Sequence, residues 1–398
     1  MKRSSVLLAC TGTFLFVLSC SKMQPSAPAD DMILDGPVAG LSPEQNAQFL
    51  RGDVAFNDDI FTRETGLGPI FVSTSCGSCH AGDGKGHPFT TLTRFGQSDS
   101  SGNTWLHLGG PQLQNRALPG FQPEVLPAGV GASRFTPPAN TGLGFIDAVA
   151  DADILAMADP DDADGDGISG VPNWIRMKSY VKERQGSHSR AGRYIGRFGK
   201  KAGAYDLLQQ TASAYNQDMG ITSLYEPYDV YSGEETDPEI STQTVLDVVF
   251  YLKTLKAPVQ RRQNEAEVIA GGAVFSAIGC NKCHTPQLKT GASPISALAY
   301  RTFAPYTDLL MHDMGPELDD GYTEGTATTA EWRTPALWGL GLSKNAQGGQ
   351  YFLMHDGRAT SIESAILMHG GEAAAVRSRY QGLGADEKNK LIRFLESL

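Results

Sequence analysis

Three scarcities narrow the reading of this sequence before any motif does. Positive charge is short: 33 Lys and Arg face 44 Asp and Glu, a formal charge of −11. An acidic protein gains nothing from neutralising phosphates, so a nucleic-acid binder is excluded. Long apolar runs are short too, since the N-terminal "VLLACTGTFLFVL" (Val6 to Leu18) is not long enough to span a bilayer stably. Cysteine is limited to six residues. What remains is an ordinary globular chain, 40% hydrophobic over 398 residues, with room for two or three domains and for small-molecule or protein partners.

The apolar run follows Lys2 and Arg3 and ends in small residues, the layout of a secretory signal. Within it "VLSC" (Val17 to Cys20) resembles the bacterial lipoprotein box, in which the cysteine is acylated after cleavage. On that reading residues 1–19 are a lipoprotein signal peptide, Cys20 carries the membrane anchor, and residues 20–40 are a flexible tether. The plainer alternative is a simple signal peptide with an incidental cysteine. The expectation is export to the periplasmic side of a bacterial membrane, with the lipid holding the protein there.

With Cys10 in the signal and Cys20 at the cleavage site, Cys76, Cys79, Cys280 and Cys283 remain, and all four fall in one repeated pattern, "CGSCH" and "CNKCH". C-x-x-C-H is the c-type haem attachment site. The thiols form thioethers to the porphyrin vinyl groups, the short turn puts both sulfurs at one edge of the ring, and the following histidine ligates the iron. The pattern predicts two covalently bound haem c groups with His80 and His284 as proximal ligands. A zinc site built from the four thiols or a redox-active dithiol would leave both histidines unexplained.

The surroundings of the two motifs point to a duplication. "LSPEQNAQFLRGDVAF" opens with Ser42, Pro43 and Gln45 in capping-box order and leads to the first motif; "EAEVIAGGAVF" leads to the second, with Val268, Phe275 and Ile278 near helical spacing. Each half closes on an amphipathic helix. The first presents Val245, Val248, Val249, Leu252 and Leu255; the second presents Leu391, Phe394, Leu395 and Leu398. A helix before C-x-x-C-H and a closing helix after it resembles the cytochrome c fold. The expected chain is mainly α, with two cytochrome c-like haem domains at residues 41–258 and 259–398, the first enlarged by loop-rich insertions.

The wider sequence is similar to the dihaem oxidoreductase family of peroxidase-like proteins, sometimes labelled thiol oxidoreductase-like. The resemblance rests on "RTPALWGLGL" (Arg333 to Leu342), "HDGRATSIESAILMHGGEA" (His355 to Ala373), "DADILAMADPDDADGDGISGVPN" and "GRFGKKA", and covers most of the chain after residue 41. The thiol label conflicts with the chemistry, because haem would consume every mature thiol outside the lipid site. The resemblance implies an enzyme that reduces hydrogen peroxide. The second haem would receive electrons from a small redox protein or a membrane donor, and the first would bind the oxidant at an exchangeable site. It also implies the second haem's sixth ligand: distant relatives, the dihaem cytochrome c peroxidases, use a Met fourteen positions after a histidine that matches His355, and fourteen on stands His369, with Met368 beside it. His312 and Met314 are the other ligand candidates, and His355 is expected to support the haem surroundings through a hydrogen bond.

The first haem is less well marked. The relatives' N-terminal "FWDGRA"-type segment is missing from this half, so their distal acid and base do not transfer. His87 is too close in sequence to His80 to reach across a porphyrin, which leaves His107 and Glu124 as candidates to move a proton between peroxide oxygens. His188 reads as a solvent-facing loop histidine. "DADGDG" supplies Asp162, Asp164 and Asp166 at alternate positions, the front half of a Ca2+ loop, although Asn173 stands where an EF-hand has its bidentate Glu; an acidic turn is the alternative. Arg193 or Arg197, in a basic stretch, is a candidate partner for a haem propionate, and Trp105 and Trp174 are candidate electron relays. The rival functions are a pure electron-transfer dihaem cytochrome and a haem enzyme that oxidises a protein or organic substrate.

Overall fold

The computed structural model describes residues 29–97 and 103–398, so the expected signal peptide, Cys10 and Cys20 lie outside the described residues. Five helices of twelve or more residues organise what is described: α1 (Pro43–Asn57), α2 (Leu207–Met219), α3 (Thr242–Thr254), α4 (Ala266–Ala277) and α5 (Ala385–Ser397). The first begins as its sequence predicts. Ser42 Oγ accepts from the Gln45 amide, and the Gln45 side chain accepts from the Ser42 amide, with Pro43 in the first turn. Ser241 caps α3 in the same way through the Thr244 amide, and α3 buries Val245, Val248, Val249 and Leu252.

Both halves cross their entry helix over their closing helix at a glycine. A Cβ on Gly52 of α1 would stand 2.1 Å from the Asp247 carbonyl oxygen and 2.6 Å from Tyr251 Cβ in α3. A Cβ on Gly271 of α4 would stand 2.0 Å from the Lys390 carbonyl oxygen and 2.7 Å from Phe394 Cβ in α5. Only glycine allows backbones that close. Each crossing is completed one turn later by a phenylalanine: Phe56 lies 5.5 Å from the Tyr251 ring, and Phe275 lies 5.3 Å from the Phe394 ring. The duplication read from the motifs therefore extends to these contacts.

Helix is 35% and strand 11%, so the expectation of a mainly α chain overstates the helix. The physical reason lies in 45 Gly and 22 Pro, which break regular elements. The long connections are pinned instead by strand pairs of two to four residues, such as Leu92–Phe95 with Ala132–Phe135 and Met311–Asp313 with Glu331–Arg333.

The chain divides into Met1–Ile33, of which the described part holds one helical turn, Asp30–Met32, and Leu34–Leu398. Within the second unit, residues 36–38 at the end of the expected tether run beside residues 254–256, with Val38 N donating to Thr254 O. The main core gathers Phe49, Phe56, Leu207, Val245 and Tyr251, but also Leu288, Leu298, Phe303, Leu310 and Trp338 from beyond residue 259. A second core, with Val268, Phe275, Tyr380, Leu391 and Phe394, lies at the α4–α5 crossing. Among the described residues no helix is long and apolar enough to cross a membrane.

Candidate functional site

Both C-x-x-C-H motifs wind into a single helical turn. The Cys76 carbonyl accepts from the Cys79 and His80 amides at 3.1 and 3.0 Å, and the Cys280 carbonyl accepts from the Cys283 and His284 amides. That turn gathers two sulfurs and an imidazole within one residue stretch. The imidazoles are then fixed alike: His80 Nδ1 meets the Pro138 carbonyl at 2.9 Å, and His284 Nδ1 meets the Tyr306 carbonyl at 3.0 Å. A carbonyl partner places the proton on Nδ1 and leaves Nε2 with its lone pair, the arrangement that an iron ligand needs. Burial pushes both imidazoles down to about 4, with the His369 charge adding to the effect at His284, so each is neutral at pH 7.

His369 lies within electrostatic reach of His284, and its Nδ1 is held at 2.7 Å by the Ala365 carbonyl one turn back in the helix Ile362–Leu367. Its Nε2 is likewise uncommitted among the described residues. His312 differs. Its Nε2 meets Asp308 Oδ2 at 2.9 Å and its Nδ1 meets Glu372 Oε2 at 2.7 Å, with Cys283 Sγ 3.8 Å away. Burial alone would discharge this imidazole, yet Asp308, Cys283 and Glu372 push it up to about 12. With both nitrogens occupied and protonated, His312 offers no ligand to iron. Met314 and Met368 pack into hydrophobic clusters, against Trp332 and Phe135 and against the second core respectively.

The rival chemistries fare badly. None of the four cysteines is in a disulfide, and burial pushes Cys76 and Cys280 up to about 12. A zinc ligand or an active dithiol needs a thiolate, which a raised pKa disfavours. Among the described residues the four thiols do not converge on one point; the groups that could hold an ion are Cys283–Asp308–His312 and Asp159–Asp162–Asp164. The second group differs from the sequence-based set of Asp162, Asp164 and Asp166. Asp159 joins Asp162 and Asp164, while Asp166 turns away to pair with Lys282, inside the second C-x-x-C-H turn. Asn173 is buried elsewhere, donating to the Glu324 carbonyl at 2.9 Å.

The distal candidates lie on either side of the short strand Arg116–Ala117. His107 is exposed, and Glu124 Oε2 accepts from the Gln114 amide at 2.7 Å, its carboxyl pushed up to about 7 by burial. Glu124 presses against Gly109, where a Cβ would come 2.1 Å from Oε1. Among the described residues neither side chain contacts His80. His87 is occupied locally, accepting from the Phe89 amide at 3.1 Å, and His188 is exposed as expected. Arg197 is not free for a propionate: it is fully buried and paired with Asp151. Arg193 Nη1 donates to the Trp174 carbonyl at 3.4 Å. Trp105 and Trp174 make no ring contact with His80 or His284 among the described residues.

Sequence reasoning missed a different tryptophan. Trp332 stacks on His355 at 3.7 Å, with the Lys201 ammonium 3.8 Å from its ring centre. His355 Nε2 in turn meets Asp320 Oδ2 at 2.8 Å, and its carbonyl takes both donors of Thr136. Pairing of His312 with Trp332 across the strands Met311–Asp313 and Glu331–Arg333 decides this placement, and strands so short leave no periodic signal. A cleft of about 700 Å3 lined by Glu267, Tyr351, Lys390 and Arg393 holds no cysteine or histidine and lies apart from this chemistry.

The donor set fits haem: two unpaired thiols and a neutral imidazole with a free Nε2 at each turn. No curated protein matches the chain. Among solved structures it resembles a hydrazine synthase from Kuenenia stuttgartiensis, pressurised with 20 bar xenon, at 14% identity over 100% of both chains; the TM-score of 0.41 is too low for any argument to rest on it. The family comparison is of another order. The model described as "Di-haem oxidoreductase, putative peroxidase" matches residues 129–398, running through the second C-x-x-C-H turn and His369 though not the first turn, and over that extent the chain belongs to the di-haem oxidoreductase family.

Proposed function

We propose that this chain is an exported c-type dihaem oxidoreductase that reduces hydrogen peroxide. The observation that supports it most is the identical treatment of His80 and His284, each neutral, each with Nδ1 on a backbone carbonyl, each directly following a pair of unpaired thiols. Cys76, Cys79 and His80 would hold one haem in the unit 41–258. Cys280, Cys283 and His284 would hold the other in the unit 259–398, with His369 as its sixth ligand. Bound haem supplies one-electron transfer and, at an open iron position, peroxide cleavage. The overall reaction, H2O2 + 2 e− + 2 H+ → 2 H2O, then needs electrons from a small redox protein or membrane donor, and protons.

Glu124 is the residue suited to the proton, since a carboxyl pushed up to about 7 exchanges it near neutral pH. His107 is exposed two residues before Gly109, against which Glu124 lies, and would connect it to solvent. Asp159, Asp162 and Asp164 would take calcium, next to the Asp166–Lys282 bridge that ties the acidic loop to the second turn. Cys20 would carry the lipid anchor.

The test is to produce the protein with haem-attachment machinery present, then measure porphyrin mass, iron content and spin state. Two added porphyrins, one low-spin iron and one that binds cyanide or peroxide are expected. A colourless product sinks the proposal. Two irons that stay low-spin in every redox state and bind neither ligand would reduce it to an electron carrier.

A further inference from the structure

Segments far apart in sequence bring three half-buried cations together near the first thiol–imidazole turn. Lys85, five residues after His80, has its Nζ on the Met354 carbonyl at 3.1 Å. Lys200 and Arg333 are laid side by side by a backbone hydrogen bond, Arg333 N to Lys200 O at 3.1 Å. Arg333 Nε then reaches the Gly199 carbonyl at 3.0 Å and Nη1 the Thr334 carbonyl at 3.2 Å. Lys200 lies within electrostatic reach of His80, Lys85 and Arg333. Its ammonium has no hydrogen-bond or ion-pair partner among the described residues.

The charge is not balanced from within. Among the described residues no carboxylate forms an ion pair with any of the three. The acids whose field they feel are engaged elsewhere: Asp356 is bound to Arg358 at 2.7 Å, and Asp308 to His312 at 2.9 Å. Burial pushes all three below their ordinary range, Lys85 to about 7 and Arg333 to about 10, and Lys85 and Arg333 depress Lys200 further. Like charges buried together are costly unless an anion joins them.

We propose that Lys85, Lys200 and Arg333 form the site that binds the propionate carboxylates of the first haem. This rests on the haem reading above and replaces Arg197, which Asp151 already holds. Thioethers grip a porphyrin by its vinyl edge and leave the two propionates, on another edge of the ring, to meet whatever charge the fold places there. Two carboxylates meeting three cations leave a net charge of +1 at the site. Arg333 also lies in the field of Asp308, which acts on His284 as well. Its charge would raise the first haem's potential by disfavouring the ferric state, directing electrons towards it.

The experiment uses the holoprotein with Lys200→Gln, Lys85→Gln and, as a charge-preserving control, Lys200→Arg. Porphyrin mass should stay at the wild-type value, because the thioethers hold the ring without the propionates. One haem's midpoint potential should fall, by roughly tenfold in its ferric-to-ferrous ratio at fixed applied potential, about 59 mV for one electron. The propionate bending bands of the resonance Raman spectrum should move, and Lys200→Arg should restore both. Haems present with unmoved potentials and bands overturn the assignment. Altered binding of added inorganic phosphate with unmoved bands also overturns it, in favour of a free-anion site. Wild-type protein without porphyrin mass means that the haem reading failed first and took this one with it.

Discussion

His312 keeps a proton that few buried imidazoles keep, because Asp308 and Glu372 each take one of its nitrogens. Its pKa is raised in the fold, so its contribution to stability is fully present below the unfolded value of roughly 6.5 and is lost as the pH climbs towards about 12. Asp308→Asn should cost about 3 kcal/mol in denaturant unfolding at pH 7, the scale of breaking a buried pair. His369→Gly is expected to leave His312 where it is and to convert one low-spin iron to high-spin, read in the absorption spectrum; an unchanged spectrum removes His369 from the ligand set. Three carboxyls act with the same sign over a lower pH window. Burial pushes Asp83 and Asp218 up to about 6 and Glu124 up to about 7, so the folded state binds these protons more readily and stability rises as the pH falls from about 7 towards 4. Asp147 reverses the trend: burial would raise it, but Lys253 and Arg184 hold it at about 2, and that contribution is lost as the pH falls through 2. His80 and His284, pushed down to about 4, lose stability as the pH falls below about 6.5 and oppose that rise, so thermal melting across pH 3–8 should show a smaller acid gain in Asp83→Asn than in the native chain.

At the scale of elements, the two helix crossings make the sharpest prediction. Gly52→Ala and Gly271→Ala would each drive a methyl into a carbonyl oxygen near 2 Å, and overpacking of that kind costs about 1–3 kcal/mol or more. Gly272→Ala is the internal control. Its Cβ would meet only the Phe394 ring edge at 3.3 Å, and the helix gains about 1 kcal/mol of propensity from the exchange, so the net change should be near zero. Chemical denaturation of the three variants separates the cases. Gly-x-x-x-Phe precedes both motifs, at Gly52–Phe56 and Gly271–Phe275, so this repeat was available in the sequence. Periodicity of apolar residues passes over it, because a glycine at a crossing is read by what it lacks.

For the whole molecule, the main core takes Leu288, Leu298, Phe303, Leu310 and Trp338 from beyond residue 259, so the halves share apolar surface. Calorimetry should show one cooperative transition for residues 34–398, lowered as a whole by Gly271→Ala; two transitions moving independently would mean that the shared core couples them weakly. The Asp166–Lys282 bridge links the acidic loop to the second turn in the same way, and a chelator should lower the melting temperature if Asp159, Asp162 and Asp164 hold an ion.

The sequence by itself determined the local chemistry: where each thiol pair and imidazole stand, how Ser42 starts α1, and which faces of α3 and α5 are apolar. These depend on neighbours a few residues apart. Only the tertiary structure decided the supporting cast. Pro138 and Tyr306 orient the His80 and His284 imidazoles, Asp308 and Glu372 take both nitrogens of His312, Asp151 claims Arg197, and Lys85, Lys200 and Arg333 come within one another's field across 248 positions of chain between the first and the last. Such meetings are set by irregular loops and strands of two to four residues, whose course no periodic pattern encodes, and by the field of charges that become neighbours only once the chain has folded.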